Sequence, residues 1–291
     1  MLALRPLVLA AALLTALAPQ IAAQPVYHAD GRPAPWNAIA EAAADADVLV
    51  LGEIHDDSLG HALKARLLAE LLMRHGPARP LALALEMFET DVQLVLDEYL
   101  GDTVRERDFL AASRPWGNYA RDYRPLVEQA REAGLPVLAA NAPARYVNLT
   151  SRAGPDALEA LSPEARALLP PLPVAPASEA LAEAFRAVMA GLGAAHGAHG
   201  PHGGPSLDGM LAAQNLRDAS MAYVVAQHLA QTPGALVVHV NGAFHSDFGR
   251  GVPEHLARYA PAARLITVSF VPETAWSDAH AGRADFVVLT R

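Results

Sequence analysis

The chain has 291 residues and a formal net charge of -9, which argues against a nucleic-acid partner, because a phosphate backbone calls for a basic face. Hydrophobic residues make up 52% and charged residues 18%, so a substantial core is expected rather than disorder. The absence of cysteine excludes disulfides, thiolate metal sites and a lipidated cysteine anchor.

Residues 1–23 read as a secretory signal peptide: Arg5, then the apolar run Leu7 to Leu14, then the small residues Ala22 and Ala23. The run is too short for a stable membrane span and predicts export to a periplasm, without lipidation. A helix is expected over Trp36 to Ala44. Asp47 to Leu51 then forms a short β-branched apolar run, a buried strand. Gly52 ends it with a turn or a close backbone approach, and Glu53, His55, Asp56 and Asp57 follow at once. Helical spacing returns over Ser58 to His75 and stops at Gly76-Pro77. Lys64 is the only lysine in the chain, which reads as a composition biased toward arginine.

Pro80 to Leu85 is a second strand, apolar on both faces, and it ends in Glu86. Helices are expected over Asp91 to Leu100 and Val104 to Ala112, then an irregular aromatic stretch from Ser113 to Tyr119, then a helix from Ala120 to Ala133 closed by Gly134. A third strand, Pro136 to Ala140, ends in Asn141. Residues 151–205 break the pattern as a helical insertion, with helical segments near Pro163 to Leu169 and Ala177 to Ala190 and a Gly/His-rich loop after them. A long helix, Leu207 to Gln231, puts Gln214, Asp218 and Met221 on one face. A fourth strand, Ala235 to Val240, leads into Gly242 and His245. Val252 to Tyr259 is helical, and Leu265 to Phe270 and Asp285 to Thr290 are the last strands. The expected fold is α/β: a mainly parallel central sheet flanked by helices. Residues 24–150 and 206–291 form its two parts, with the helical insertion between them in the second half.

Several strands thus end in a polar group: Glu53 with His55, Glu86, Asn141 and His245. Parallel strands bring such groups to one edge of the sheet, where ligand crevices form. The matched segments Gly52-Glu53-Ile54-His55 and Gly242-Ala243-Phe244-His245 share a Gly-x-x-His pattern. Glu53, His55, Glu86 and His245 have the chemistry of a divalent-metal site, or of a metal-free acid–base site. Two further candidates stand beside them. His196, His199 and His202 in the Gly/His-rich loop suit weak metal collection. Tyr119 and Tyr123, with Arg124 adjacent, offer a phenolate for ferric haem and a cation for its propionates, although aromatic residues at a helix start ordinarily serve packing.

Gly52 to Asp56, Leu85 to Phe88, Arg114-Pro115-Trp116, Asp122 to Val127, Asn141-Ala142-Pro143, Gln214 with Arg217-Asp218 and Met221-Ala222, and Gly242 to His245 together resemble the ChaN-like haem-binding uptake family. The resemblance implies an envelope protein of haem and iron uptake, working with other uptake components. It implies haem iron held by tyrosine, for which Tyr119 and Tyr123 lie in a matching segment, and a homodimer that buries stacked haems. It also implies kinship with the Tiki/TraB proteases and the erythromycin esterases. In the Tiki branch, positions matching His55, His245 and Glu86 are associated with metal-dependent peptide hydrolysis. The expected function is therefore periplasmic haem binding. A metal-dependent hydrolase, a peptidase or esterase, is the alternative, and a metal-binding protein acting through the histidine loop is a second.

Overall fold

A computed structural model describes residues 24–196 and 206–291, with the side chains of 192–196 left aside. The expected signal peptide, and His199 and His202 of the histidine loop, lie outside the described residues. The elements run β1 (Val26–His28), β2 (Pro33–Ala34), α1 (Asn37–Ala42), β3 (Val48–Glu53), α2 (Ser58–His75), β4 (Leu81–Glu89), α3 (Gln93–Leu100), α4 (Glu106–Ser113), α5 (Arg124–Ala133) and β5 (Val137–Asn141). They continue with α6 (Ala144–Ala153), α7 (Pro163–Arg166), α8 (Glu179–His196), α9 (Leu207–Gln231), β6 (Leu236–Gly242), α10 (Val252–Tyr259), β7 (Leu265–Val271) and β8 (Phe286–Leu289).

Among the described residues, the strands form one eight-stranded sheet ordered β2-β1-β8-β7-β3-β6-β4-β5. It is parallel from β8 to β5, as the apolar runs predict, with β1 and β2 added antiparallel at one edge. Those edge strands are too short to show a period-2 pattern in the sequence. The strands alternate their apolar side chains between two cores. Leu49, Leu51, Leu83 and Leu85 join the α2 side. Val48, Val50, Ala82 and Ala84 meet Met221 and Val225 of α9 and Leu256 of α10. Both faces are covered, which is why the strands read as continuous hydrophobic runs.

Three local features lie beyond what the sequence pattern specifies. Glu86 does not come from the strand beside β3. β6, formed late in the chain, pairs with both β3 and β4 and separates them. The helix expected from Ala120 begins instead as a π turn, Tyr119–Tyr123, and becomes α-helical only at Arg124. Pro125 has no N–H to close an α-helical bond to Arg121, and the wider turn drives Asp122 and Tyr123 inward. Finally, α6 follows Pro143 directly. With the insertion and α9 it forms a separate small core around Val147, Leu158, Leu169 and Leu216.

Candidate functional site

The carboxyl ends of β3, β6 and β4 converge. Glu53 ends β3 directly opposite Gly242, the last residue of β6, and Glu86 follows Leu85, which pairs with Val240. The two Gly-x-x-His segments interlock here. A Cβ on Gly52 would lie 2.9 Å from Ser246 Oγ and 3.2 Å from Ala243 Cα, and one on Gly242 would lie 2.9 Å from His55 Cε1 and Nε2. Each glycine therefore makes room for the loop that follows the other. Neither has a positive φ, so close approach and not a special turn explains them.

Around Glu53 the sequence brings four polar side chains into a nearly dry space. Glu53 is 2% exposed. His55 Nδ1 donates to its Oε1 at 3.0 Å, and the Tyr123 hydroxyl donates to the same oxygen. Lys64 Nζ donates to Oε2, with His61 Nδ1 3.6 Å away. Burial alone would raise the Glu53 pKa, but the Lys64 charge and the His55 bond hold it down at about 2. The Tyr123 phenol is pushed well above its ordinary value by burial and by the Glu53 charge. His55 is itself lifted, its burial outweighed by Glu53 and Glu86. Its backbone carbonyl accepts from Asn118 Nδ2 at 2.7 Å and His61 Nε2 at 2.9 Å, while Trp116 packs edge-on against the ring at 4.5 Å.

The second cluster belongs to Glu86. The Gly242 amide donates to its Oε2 at 2.7 Å, and His245 Nε2 lies 3.2 Å from Oε1. On its other side His245 Nδ1 bonds Asp218 Oδ1, and the Gln214 amide is 2.9 Å away. Burial opposes charge on His245, yet the flanking carboxylates of Glu86 and Asp218 raise it to about 10, so it is an imidazolium at neutral pH. Glu86 is held at about 2 by that imidazolium and the amide, against its own burial.

The structure thus brings Glu53, His55, Glu86, His245 and Tyr123 together, and leaves Tyr119 and Arg124 outside. Tyr119 is buried beside Phe88 and Phe109, its hydroxyl without a partner. Arg124 lies at the surface with its guanidinium held by Glu106. Among the described residues, no three His, Asp or Glu side chains are arranged to hold a metal ion. The divalent-metal expectation for Glu53, His55, Glu86 and His245 therefore has no support. Glu53 accepts from Lys64, Tyr123 and His55 instead, Glu86 accepts from the Gly242 amide, and both ring nitrogens of His245 are turned to carboxylates, Asp218 and Glu86. Lys64 is not an incidental product of composition bias: it is fully buried and neutralises Glu53. Its one available signal was position, since it falls on the apolar face of α2 between Leu63 and Leu67.

Comparison with known proteins agrees with this architecture. The family described as haem-binding uptake, Tiki superfamily, ChaN, matches residues 39–256. The chain belongs to that family. ChaN of Campylobacter jejuni, whose structure is described as showing cofacial haem binding, superposes with a TM-score of 0.70 over 92% of this chain and 97% of that one, at 17% identity, which shows a shared fold. An erythromycin esterase aligns over 87% of this chain and 77% of its own, at 14% identity and a TM-score of 0.45, too distant to bear on chemistry. The chloroplastic protein RETICULATA-RELATED 5 of Arabidopsis thaliana is 25% identical over 202 residues, 67% of this chain. The chain spans about a quarter of that relative's length, 26%.

Proposed function

We propose that this protein binds haem in the periplasm as part of haem and iron uptake, exported by residues 1–23 and working with envelope uptake components. The observation that carries the reading is membership of the haem-binding uptake family over residues 39–256. The side chain that best fits a haem iron is His55. Its side chain is 44% exposed, and its Nδ1 is tied to a carboxylate, the arrangement that fixes ring orientation and tautomer in iron-binding histidines. Ile54, 48% exposed, and Trp116 give an apolar surface beside it for a macrocycle. Tyr123 fits less well, because its proton is held by Glu53, and Tyr119 would have to leave the core. Bound haem would supply an iron centre. The protein supplies the oriented imidazole, the ionised Glu53 behind it and the apolar wall. Cofacial haem binding is described for the Campylobacter protein; for this chain the reading implies a homodimer that holds its haems in the same manner.

Hemin titration followed by absorption spectroscopy tests the proposal. The wild type is expected to give a saturable spectral change, largely lost in His55→Ala and retained in Tyr119→Phe. Absence of a saturable change in the wild type would overturn haem binding. Retention of the full change in His55→Ala would overturn the assignment to His55 alone.

A further inference from the structure

The two ring nitrogens of His55 have different surroundings. A Cβ on Gly242 would lie 2.9 Å from His55 Nε2, so the glycine is what leaves that nitrogen uncovered. Nδ1 lies 3.0 Å from Glu53 Oε1, and against an ionised carboxylate it can only donate. The ring is fixed on that bond. Asn118 and His61 hold the His55 carbonyl, and Trp116 stands edge-on against the ring. Glu53 is 2% exposed, so water does not weaken the bond. Its other oxygen, Oε2, is occupied by Lys64. Among the described residues, the Tyr123 hydroxyl is the one other donor to Oε1 and competes with His55 for it.

A carboxylate that accepts from one imidazole nitrogen makes the other a stronger electron donor. A stronger donor favours the more positive of two iron oxidation states. We propose that the bond from His55 to Glu53 makes this site selective for ferric over ferrous haem, so that one-electron reduction is the step that loosens the cargo. The inference rests on the reading of His55 as the haem-binding side chain. Glu53 draws on the Nδ1 proton and enriches Nε2, and the Tyr123 hydroxyl moderates this through the shared oxygen. One electron from a reduced flavin or haem protein lowers the iron charge by one, with no change in the bonds of the porphyrin. The enriched imidazole then holds the iron less tightly. By linkage, each tenfold preference for the ferric form lowers the potential of bound haem by about 59 mV relative to unbound haem.

Anaerobic titration of the full chain with hemin and with dithionite-reduced haem, together with potentiometry of the complex, tests this. The wild type is expected to bind hemin about 10–100-fold more tightly than reduced haem, the range over which such outer partners change metal affinity. Glu53→Gln keeps the shape and removes the charge, so it should erase most of the preference and raise the potential. Tyr123→Phe removes the competing donor and should lower the potential further. A structural lesion would move both variants the same way, so the opposite signs are the signature of the Glu53 bond. Equal affinity of the wild type for the two forms would overturn this inference and leave haem binding standing, whereas saturable binding of neither form would overturn both. An unchanged or raised potential in Tyr123→Phe would overturn the role of Glu53, whatever the fate of the buried Glu53→Gln.

Discussion

Lys64→Met tests whether the Glu53 cluster is the dry, charge-balanced centre that the geometry describes. Lys64 is the only lysine in the sequence, and its side chain and that of Glu53 are 0% and 2% exposed. Removing one member of a buried pair strands the other and costs about 3–5 kcal/mol. An independent route gives a similar size: holding Glu53 at about 2 rather than the ordinary 4.5 corresponds to about 3 kcal/mol at neutral pH. Because this pKa is depressed in the folded state, the stabilisation is present above about pH 4.5 and is lost as pH falls toward 2. Urea unfolding at pH 7 should show Lys64→Met destabilised by about 3 kcal/mol or more. Between pH 6 and 4 the variant should lose less stability than the wild type, since its Glu53 is protonated more readily. Replacing both partners, as Glu53→Leu with Lys64→Met, should recover part of the loss, because no isolated charge is left buried. A loss below about 1 kcal/mol for Lys64→Met, the range of an exposed pair, would refute the buried-pair reasoning.

Other outcomes follow from the same geometry. His245, raised from 6.5 to about 10, contributes stability that is full below pH 6.5 and lost as pH climbs through about 10. Unfolding curves from pH 6 to 10 should fall for the wild type and be flatter for His245→Gln, and an NMR titration should find this ring still protonated at pH 8. Gly242→Ala places a methyl 2.9 Å from two atoms of the His55 ring, so it should displace that ring and alter the hemin spectrum with little change in the melting temperature. An unaltered spectrum would contradict the interlocked loops. Tyr123→Phe removes the hydroxyl bond to Glu53 and should cost about 1–3 kcal/mol in chemical denaturation. Tyr119→Phe, which deletes a hydroxyl without a partner, should be neutral or stabilising in the same assay.

Local sequence patterns specify the strand-and-helix alternation, the parallel sheet and the gathering of Glu53, His55, Glu86 and His245 at one edge. These follow from local patterns: apolar runs, helical periodicity, and polar residues directly after strands whose shared direction fixes where they meet. What those residues do to one another depends on packing across the chain. β6 inserts between β3 and β4, so Gly242 comes to face His55 and its amide reaches Glu86. Pro125 widens a turn and swings Tyr123 onto Glu53, while Tyr119 in the same turn enters the aromatic core. Lys64 is one charge on an apolar helix face, and its partner lies 11 positions away on a different element. Strand order, side-chain direction in an irregular turn and pairing across elements depend on how the whole chain packs, and no local pattern carries them. A charge balance in a dry interior exists only once that packing has excluded water.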